Sequence, residues 1–431
     1  MERLGWVSDP NCGRGTASIL ESCLFTIILC TWTALHLNVP ETKLEWWQSL
    51  WRKTKWTAFA IYLPEYITWL AIRQRASAEA LTKDMHELGH PEWTVTQSYY
   101  AEMGGIYVTV EPGRAVPAAT RLSLPLFEAE HFRLVKYEQL PTQEYIEDKS
   151  KADAFKRVVT TTQAAWALAQ VFGRWAKHLP ISNLELGTVA YVLCALATYI
   201  AWWHKPYDVS IITVLEPVSI QDYQNKVGPG YRHSIGGNDN DHNNDPIDAR
   251  RGSNDLHGGP DVTTKPYIVD HGFDRDFNDQ LGRLDASFTF WASPDEAMIG
   301  HYTPSMTGQI WWSFFLAVVF CCFGGIHAAG WKFSFPTVAE MWLWRVCSLV
   351  QVIVPFFLFL CLAFKRIVSY WFPYPRGQWV QSTYDMILLP CGAIYLVART
   401  IIVVLMFCTL RSSPPDIYKK LSWSSIVPHW G

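Results

Sequence analysis

The sequence predicts an all-α, polytopic transmembrane helix bundle, and three observations carry that prediction. Of the 431 residues, 49% are hydrophobic, and many are gathered into long runs. Several runs approach the roughly 20 residues that a helix rising about 1.5 Å per residue needs to cross a bilayer. The chain also holds 22 Trp, and an indole, apolar but with one N–H, suits the bilayer interface. A net charge of −3 is too close to neutral to favour a nucleic-acid partner.

The candidate spans fall, in chain order, at 18–37, 56–72, 157–176, 185–203, 308–329, 346–364 and 386–409. The third carries Arg157 and Arg174, so a crossing there must turn its polar side inward, because lipid leaves such groups unsatisfied. The expectation is therefore about seven spans, or six without 157–176, in one integral-membrane domain over 1–430. Residues 75–155 read as an extramembrane segment with a strand-like alternation at "IYVTV" (106–110). Residues 226–285, dense in Gly, Asn and Asp, carry too little apolar surface to offset chain entropy and read as a disordered loop.

The stretch "DMHELGHPEW" (84–93) contains H-E-x-x-H as His86, Glu87 and His90. In zinc proteases that spacing sets two imidazoles one turn apart on a helix, with the Glu polarising a bound water. Here Pro91 disfavours helix at His90 and Gly89 weakens the turn. No third ligand follows at the extended spacing, where Trp93 and Thr96 stand for Gly and His. A zinc metalloprotease is accordingly the remote reading, and no metal or other cofactor is expected.

Ionisable groups at membrane depth are costly and mark function or helix pairing. Glu65 is the deepest, directly after Pro64 in "IYLPEYITW". Pro64 frees a carbonyl one turn back and kinks the chain beside that carboxyl group. Glu21 and Asp385 lie near the starts of the first and last spans, and His36, His204, Arg174, His327 and Arg399 complete the set. A carboxylic acid in an apolar pocket holds its proton to higher pH and can donate it, whereas an interhelical hydrogen bond is the structural alternative. Glu65 is thus the candidate acid, with Asp385 or Glu21 assisting. Tyr62, Tyr66, Trp202 and Trp312 are candidates for an aromatic wall that stabilises a carbocation.

Several stretches are familiar as a set: "WVSDPNCGRGTASILESCLFTIILCTWTALHLNVP" (6–40), "EWTVTQSYYAEMGG" (92–105), "IEDKSKADAFKRVV" (146–159), "LPISNLELGTVAYVLCALATYIAWWHKPYDV" (179–209) and "WSSIVPHW" (423–430). Together they resemble a fungal family of polytopic membrane proteins that includes the membrane-bound meroterpenoid terpene cyclases of the ascofuranone type. The resemblance implies cyclisation of a farnesyl chain on an aromatic or epoxycyclohexenone core, begun by protonation of an alkene or terminal epoxide. It also implies a lipophilic prenylated partner dissolved in membrane lipid, in the endoplasmic reticulum of a fungal secondary-metabolite pathway. It supplies no catalytic motif, so the site residues rest on their chemistry alone. The principal alternative is a non-enzymatic transporter or receptor-like membrane protein.

Overall fold

A computed structural model of the chain describes residues 3–8, 14–40, 44–111, 122–125, 132, 135–150, 154–209, 212–219, 306–371 and 376–421. The Gly/Asn/Asp-rich stretch 226–285 lies outside the described residues. The described chain is mostly helical. Its first half contains α1 (Thr16–Ala34), α2 (Trp46–Tyr62), α3 (Pro64–Glu87), α4 (Val95–Glu102), α5 (Gln143–Lys149), α6 (Ala154–Ala176) and α7 (Asn183–Ala201). After these come α8 (Met306–Ala329), α9 (Val338–Trp371) and α10 (Arg376–Cys408).

Helices α1, α7, α8, α9 and α10 each contain a stretch long and apolar enough to cross a membrane, which marks the chain as a membrane protein. The run 157–176 does form a helix, α6, but it is not among those five. The run 56–72 is not one helix: it is divided between α2 and α3 at Leu63 (φ −134°, ψ 66°).

Ring and ion-pair contacts give the helix directions. Arg14, just before α1, pairs with Glu185 in the first turn of α7. At the other end, the His36 ring beyond α1 lies 5.8 Å from Trp202, the residue that ends α7. So α1 and α7 run parallel. α6 packs on both in the opposite sense, ending at the Arg14 end of the bundle. There the buried Arg174 guanidinium donates to the carbonyls of Pro180, Asp416, Ile417 and Lys419. This cationic fork ties the C-terminal segment to the bundle. Arg174, which the sequence placed among the intramembrane charges, is therefore a clamp at a helix end.

α8, α9 and α10 pack one after another on the far side of α7. A Cβ on Gly324 would lie 2.9 Å from the Gln351 backbone, so α8 and α9 approach as closely as small residues permit.

α2 and α3 form a hairpin that enters and leaves the bundle at one end. Lys53 of α2 donates to the Tyr207 hydroxyl at 2.5 Å, and Gln74 of α3 accepts from the Trp202 indole at 2.8 Å. Nine residues separate each of these anchors from the tip, about 14 Å of helix. Pro64 takes the first position of α3, where its missing N–H costs nothing and its fixed φ suits the helix. α3 then runs beyond the bundle into a small α/β layer. In this layer β1 (Ile106–Glu111) pairs antiparallel with β2 (Leu122–Pro125) and parallel with β3 (Thr213–Ser219). The alternating "IYVTV" is β1. Its buried Ile106 and Val108 pack with Leu81, Met85, Trp93 and Tyr100 in a core separate from that of the bundle.

Candidate functional site: a braced hairpin tip and a lipophilic cavity

Breaking a helix inside a bundle orphans the carbonyls one turn upstream, and each must find a donor. At the α2–α3 tip these are Ile61 and Tyr62. The Tyr191 hydroxyl donates to the Ile61 carbonyl at 2.7 Å, and Arg399 Nε donates to the Tyr62 carbonyl at 2.9 Å. Arg399 Nη2 also donates to the Tyr191 hydroxyl at 3.1 Å, and the guanidinium lies 4.0 Å from the Phe323 ring centroid.

Glu65, fully buried, completes the brace. Its Oε1 accepts from the Tyr395 hydroxyl at 2.5 Å, and its Oε2 lies 3.9 Å from Arg399 Nη2. The first turn of α3 is itself a favourable place for a carboxylate, near the positive end of the helix dipole. Among the described residues, Glu65 Oε2, Arg399 Nη1 and His327 Nε2 are nonetheless buried without hydrogen-bond partners, as are both amide atoms of Gln351 and the Ser348 hydroxyl. Orphans of this kind ask for ordered water or a polar guest.

The other sequence-predicted residues do not converge on Glu65 as a set. Tyr62 is near, but its hydroxyl serves α10, donating to the Leu396 carbonyl at 3.1 Å and pairing with Thr400 at 2.8 Å. Tyr66 is buried among Phe59 and Trp69, with ring centroids 5.8 and 5.6 Å away. Trp202 lies toward the end of the bundle, where the Lys205 ammonium sits 4.7 Å over its ring; its π face already serves a cation of the protein. Trp312 is half-buried on α8, beside Phe315. Glu21 is exposed on α1. Asp385 falls within α10, and its side chain lies outside the described residues.

The H-E-x-x-H segment does not build a zinc helix. α3 ends at Glu87, Gly89 takes φ +97°, and His90 lies beyond the last turn. His86 Nε2 donates to the Trp93 carbonyl at 2.8 Å, while the His90 ring stacks on Tyr137 at 4.2 Å. The two imidazoles have separate contacts and do not share one helix face as a zinc pair would.

A cavity of about 180 Å³ lies between α1, α6 and α7. Its walls are apolar (Leu168, Val192 and Leu196 among them), and its polar end is formed by His36, Tyr199 and Tyr207. The His36 ring meets Tyr207 edge-on at 4.9 Å and is oriented by an Nδ1 hydrogen bond to the Ala34 carbonyl at 2.9 Å. Behind Tyr207, the buried Lys53 donates to its hydroxyl at 2.5 Å and lies 3.8 Å from Asp208. A phenol held at the edge of a cavity is a candidate proton donor. Glu65 does not line it.

Nothing in the sequence singles out Lys53, Tyr191, Tyr207 or Tyr395. A buried tyrosine in an aromatic-rich chain carries no local signal; its partners are 130 to 330 residues away.

Just outside the bundle, the buried Lys205 ammonium donates to Asn38 at 2.9 Å and Gln74 at 3.0 Å, and Glu102 accepts from Ser77 at 2.5 Å. Burial pushes Glu102 up to about 8 and Lys205 down to about 7.

No curated protein and no solved structure matches the chain. Residues 1–225 and 312–430 match a family described as a family of unknown function (DUF8562). The matched residues include α1 through α7, with both the hairpin and the cavity, and they include Tyr395 and Arg399. The chain belongs to that family of unknown function, DUF8562.

Proposed function

We propose that this protein is an integral-membrane terpene cyclase acting on a farnesylated aromatic or epoxycyclohexenone compound. The observation that carries the reading is the α1–α6–α7 cavity: apolar walls with a Lys53-supported phenol, Tyr207, and an oriented imidazole, His36, at one end. Lipophilic ligands are bound in this way, by apolar walls and a few placed polar groups. In this reading the Tyr207 proton passes to a terminal epoxide oxygen or alkene carbon. The epoxide C–O bond or the alkene π bond opens, and a neighbouring alkene supplies the electrons of the new C–C bond. The final cation returns a proton to the Tyr207 phenolate, so the product is an isomer of the substrate.

Glu65 takes a different role here from the one expected of it. Its carboxyl group meets the Tyr395 hydroxyl and Arg399, and its work is to hold the hairpin tip. Residence in the endoplasmic reticulum belongs to the same reading.

A single experiment tests it. Microsomes bearing the protein are fed a farnesylated phenol or an epoxyfarnesyl quinol, and the products are read by mass and NMR. A cyclised isomer of unchanged mass supports the reading; no turnover across the substrate panel sinks it.

The second reading, a transporter or receptor-like protein, draws on one observation of its own. A helix broken at mid-bundle beside buried unpartnered polar atoms resembles the discontinuous helices at which transporters bind substrate. Flux of a solute that depends on Glu65, without cyclisation, would select it.

A further inference from the structure

A second cavity, of about 400 Å³, lies along the same seam of α1, α6 and α7, toward the Arg14 end of the bundle. The two cavities share Leu168 and Val192 as walls, so those residues form the neck between them. Their linings differ in chemistry. The first is almost wholly apolar over its length. The second presents the Ser22 and Thr26 hydroxyls, the Gln170 amide, the Arg14–Glu185 pair and Lys420.

Among the described residues that line this cavity, two cations stand against one carboxylate. Glu185 is already committed: its Oε2 accepts from the Ser182 hydroxyl at 2.8 Å and backbone N–H at 2.9 Å, and its Oε1 pairs with Arg14. The surplus charge is positive, on Lys420.

We infer that the α1–α6–α7 seam is one amphiphile-binding groove, which seats the prenyl tail in the apolar cavity against Tyr207. The acidic aromatic head of the same molecule sits in the polar cavity near Gln170 and Lys420. This rests on the cyclase reading for the identity of the tail chemistry, and it adds the orientation and the class of head group. A substrate so held presents its terminal alkene or epoxide, not its ring, to the Lys53–Tyr207 pair. Head-group recognition is then separated from chemistry by the length of the prenyl chain.

The test uses full-length protein in detergent and three probes: a farnesylated dihydroxybenzoic acid, its methyl ester with methylated phenols, and oleate. Binding is read by quenching of tryptophan fluorescence. The acid is expected to bind about tenfold more tightly than the capped ester, the effect of one charge-assisted contact. The double variant Gln170→Leu/Lys420→Gln is expected to abolish that difference. Val192→Phe, or Leu168→Phe if the first fails to fold, narrows the neck and is expected to weaken both prenylated probes together.

An unchanged acid-to-ester ratio in the double variant overturns the inference, and so does oleate binding as tightly as the prenylated acid. The two proposals fail separately. Head-dependent binding without any cyclised product sinks the cyclase and leaves the groove. Turnover indifferent to the head group sinks the groove and leaves the cyclase.

Discussion

The hairpin tip and the α1–α6–α7 cavity are both polar sites inside one apolar bundle, yet they use their polar groups in opposite ways. At the tip nearly every donor is spent on the fold itself. Arg399 and Tyr191 repair the carbonyls that the Leu63–Pro64 break exposes, and Glu65 and Tyr395 hold Arg399 in place. At the cavity, His36 and Tyr207 are steadied from behind by Ala34 and Lys53, while their rings line open space. A buried charge by itself therefore does not locate chemistry; a buried polar group bordering space for a ligand is the better indication.

Substitutions sharpen the contrast, beginning with the largest effect. Arg399→Met removes the cation beside the buried Glu65 carboxyl group and the donor to the Tyr62 carbonyl, and is expected to destabilise by about 3–5 kcal/mol. The loss would be read as reduced folded yield and melting temperature in detergent. Adding Glu65→Gln should recover part of that loss, because it removes the stranded charge. A double variant no better than Arg399→Met would show that the pair does not act as a unit.

Tyr207→Phe is expected to lower turnover about 100-fold or more, the usual contribution of a general acid, and to cost about 1–3 kcal/mol of stability because the buried Lys53 loses this acceptor. Its counterpart Tyr395→Phe should cost a similar amount of stability while sparing turnover. If Tyr395→Phe also stops turnover in well-folded protein, chemistry belongs to the tip and the contrast breaks.

A third prediction concerns the polar cluster beside the bundle. Glu102 is held up at about 8, chiefly by burial. The folded state therefore keeps a proton that the unfolded chain releases above its ordinary value of 4.5, and stability falls as pH rises through that window. Lys205, pushed down to about 7 by burial, acts in the opposite sense: stability rises from there toward its ordinary 10.5. Melting temperatures between pH 5 and 7, below the range in which Lys205 acts, should drop for the native protein and lose that slope in Glu102→Gln. The smallest effect is expected of Glu21→Gln, an exposed position, within about 0.5 kcal/mol and without change in turnover.

How much of this was legible in advance differs from one element to the next. The strand at Ile106–Glu111 could be read because alternation is a local property, and the failure of H-E-x-x-H could be read because Gly89 and Pro91 act on their immediate neighbours. The run 56–72 could not be resolved. Hydropathy adds residues without regard to direction, so a hairpin of two half-helices and a single crossing have the same composition. The Glu65 partners were equally hidden, since Arg399 and Tyr395 belong to a helix more than 300 residues downstream.

The sequence by itself determined the apolar helices that make this a membrane protein, the proline that interrupts one of them, and the carboxyl group that follows it. Each depends on side-chain chemistry over a few turns of chain. Only the tertiary structure decided that α2 and α3 turn back at mid-bundle, that Arg399 and Tyr191 satisfy the broken backbone, and that a cavity lies beside His36 and Tyr207. A buried donor is assigned by whichever acceptor packing brings within 3 Å of it, and that depends on every helix at once.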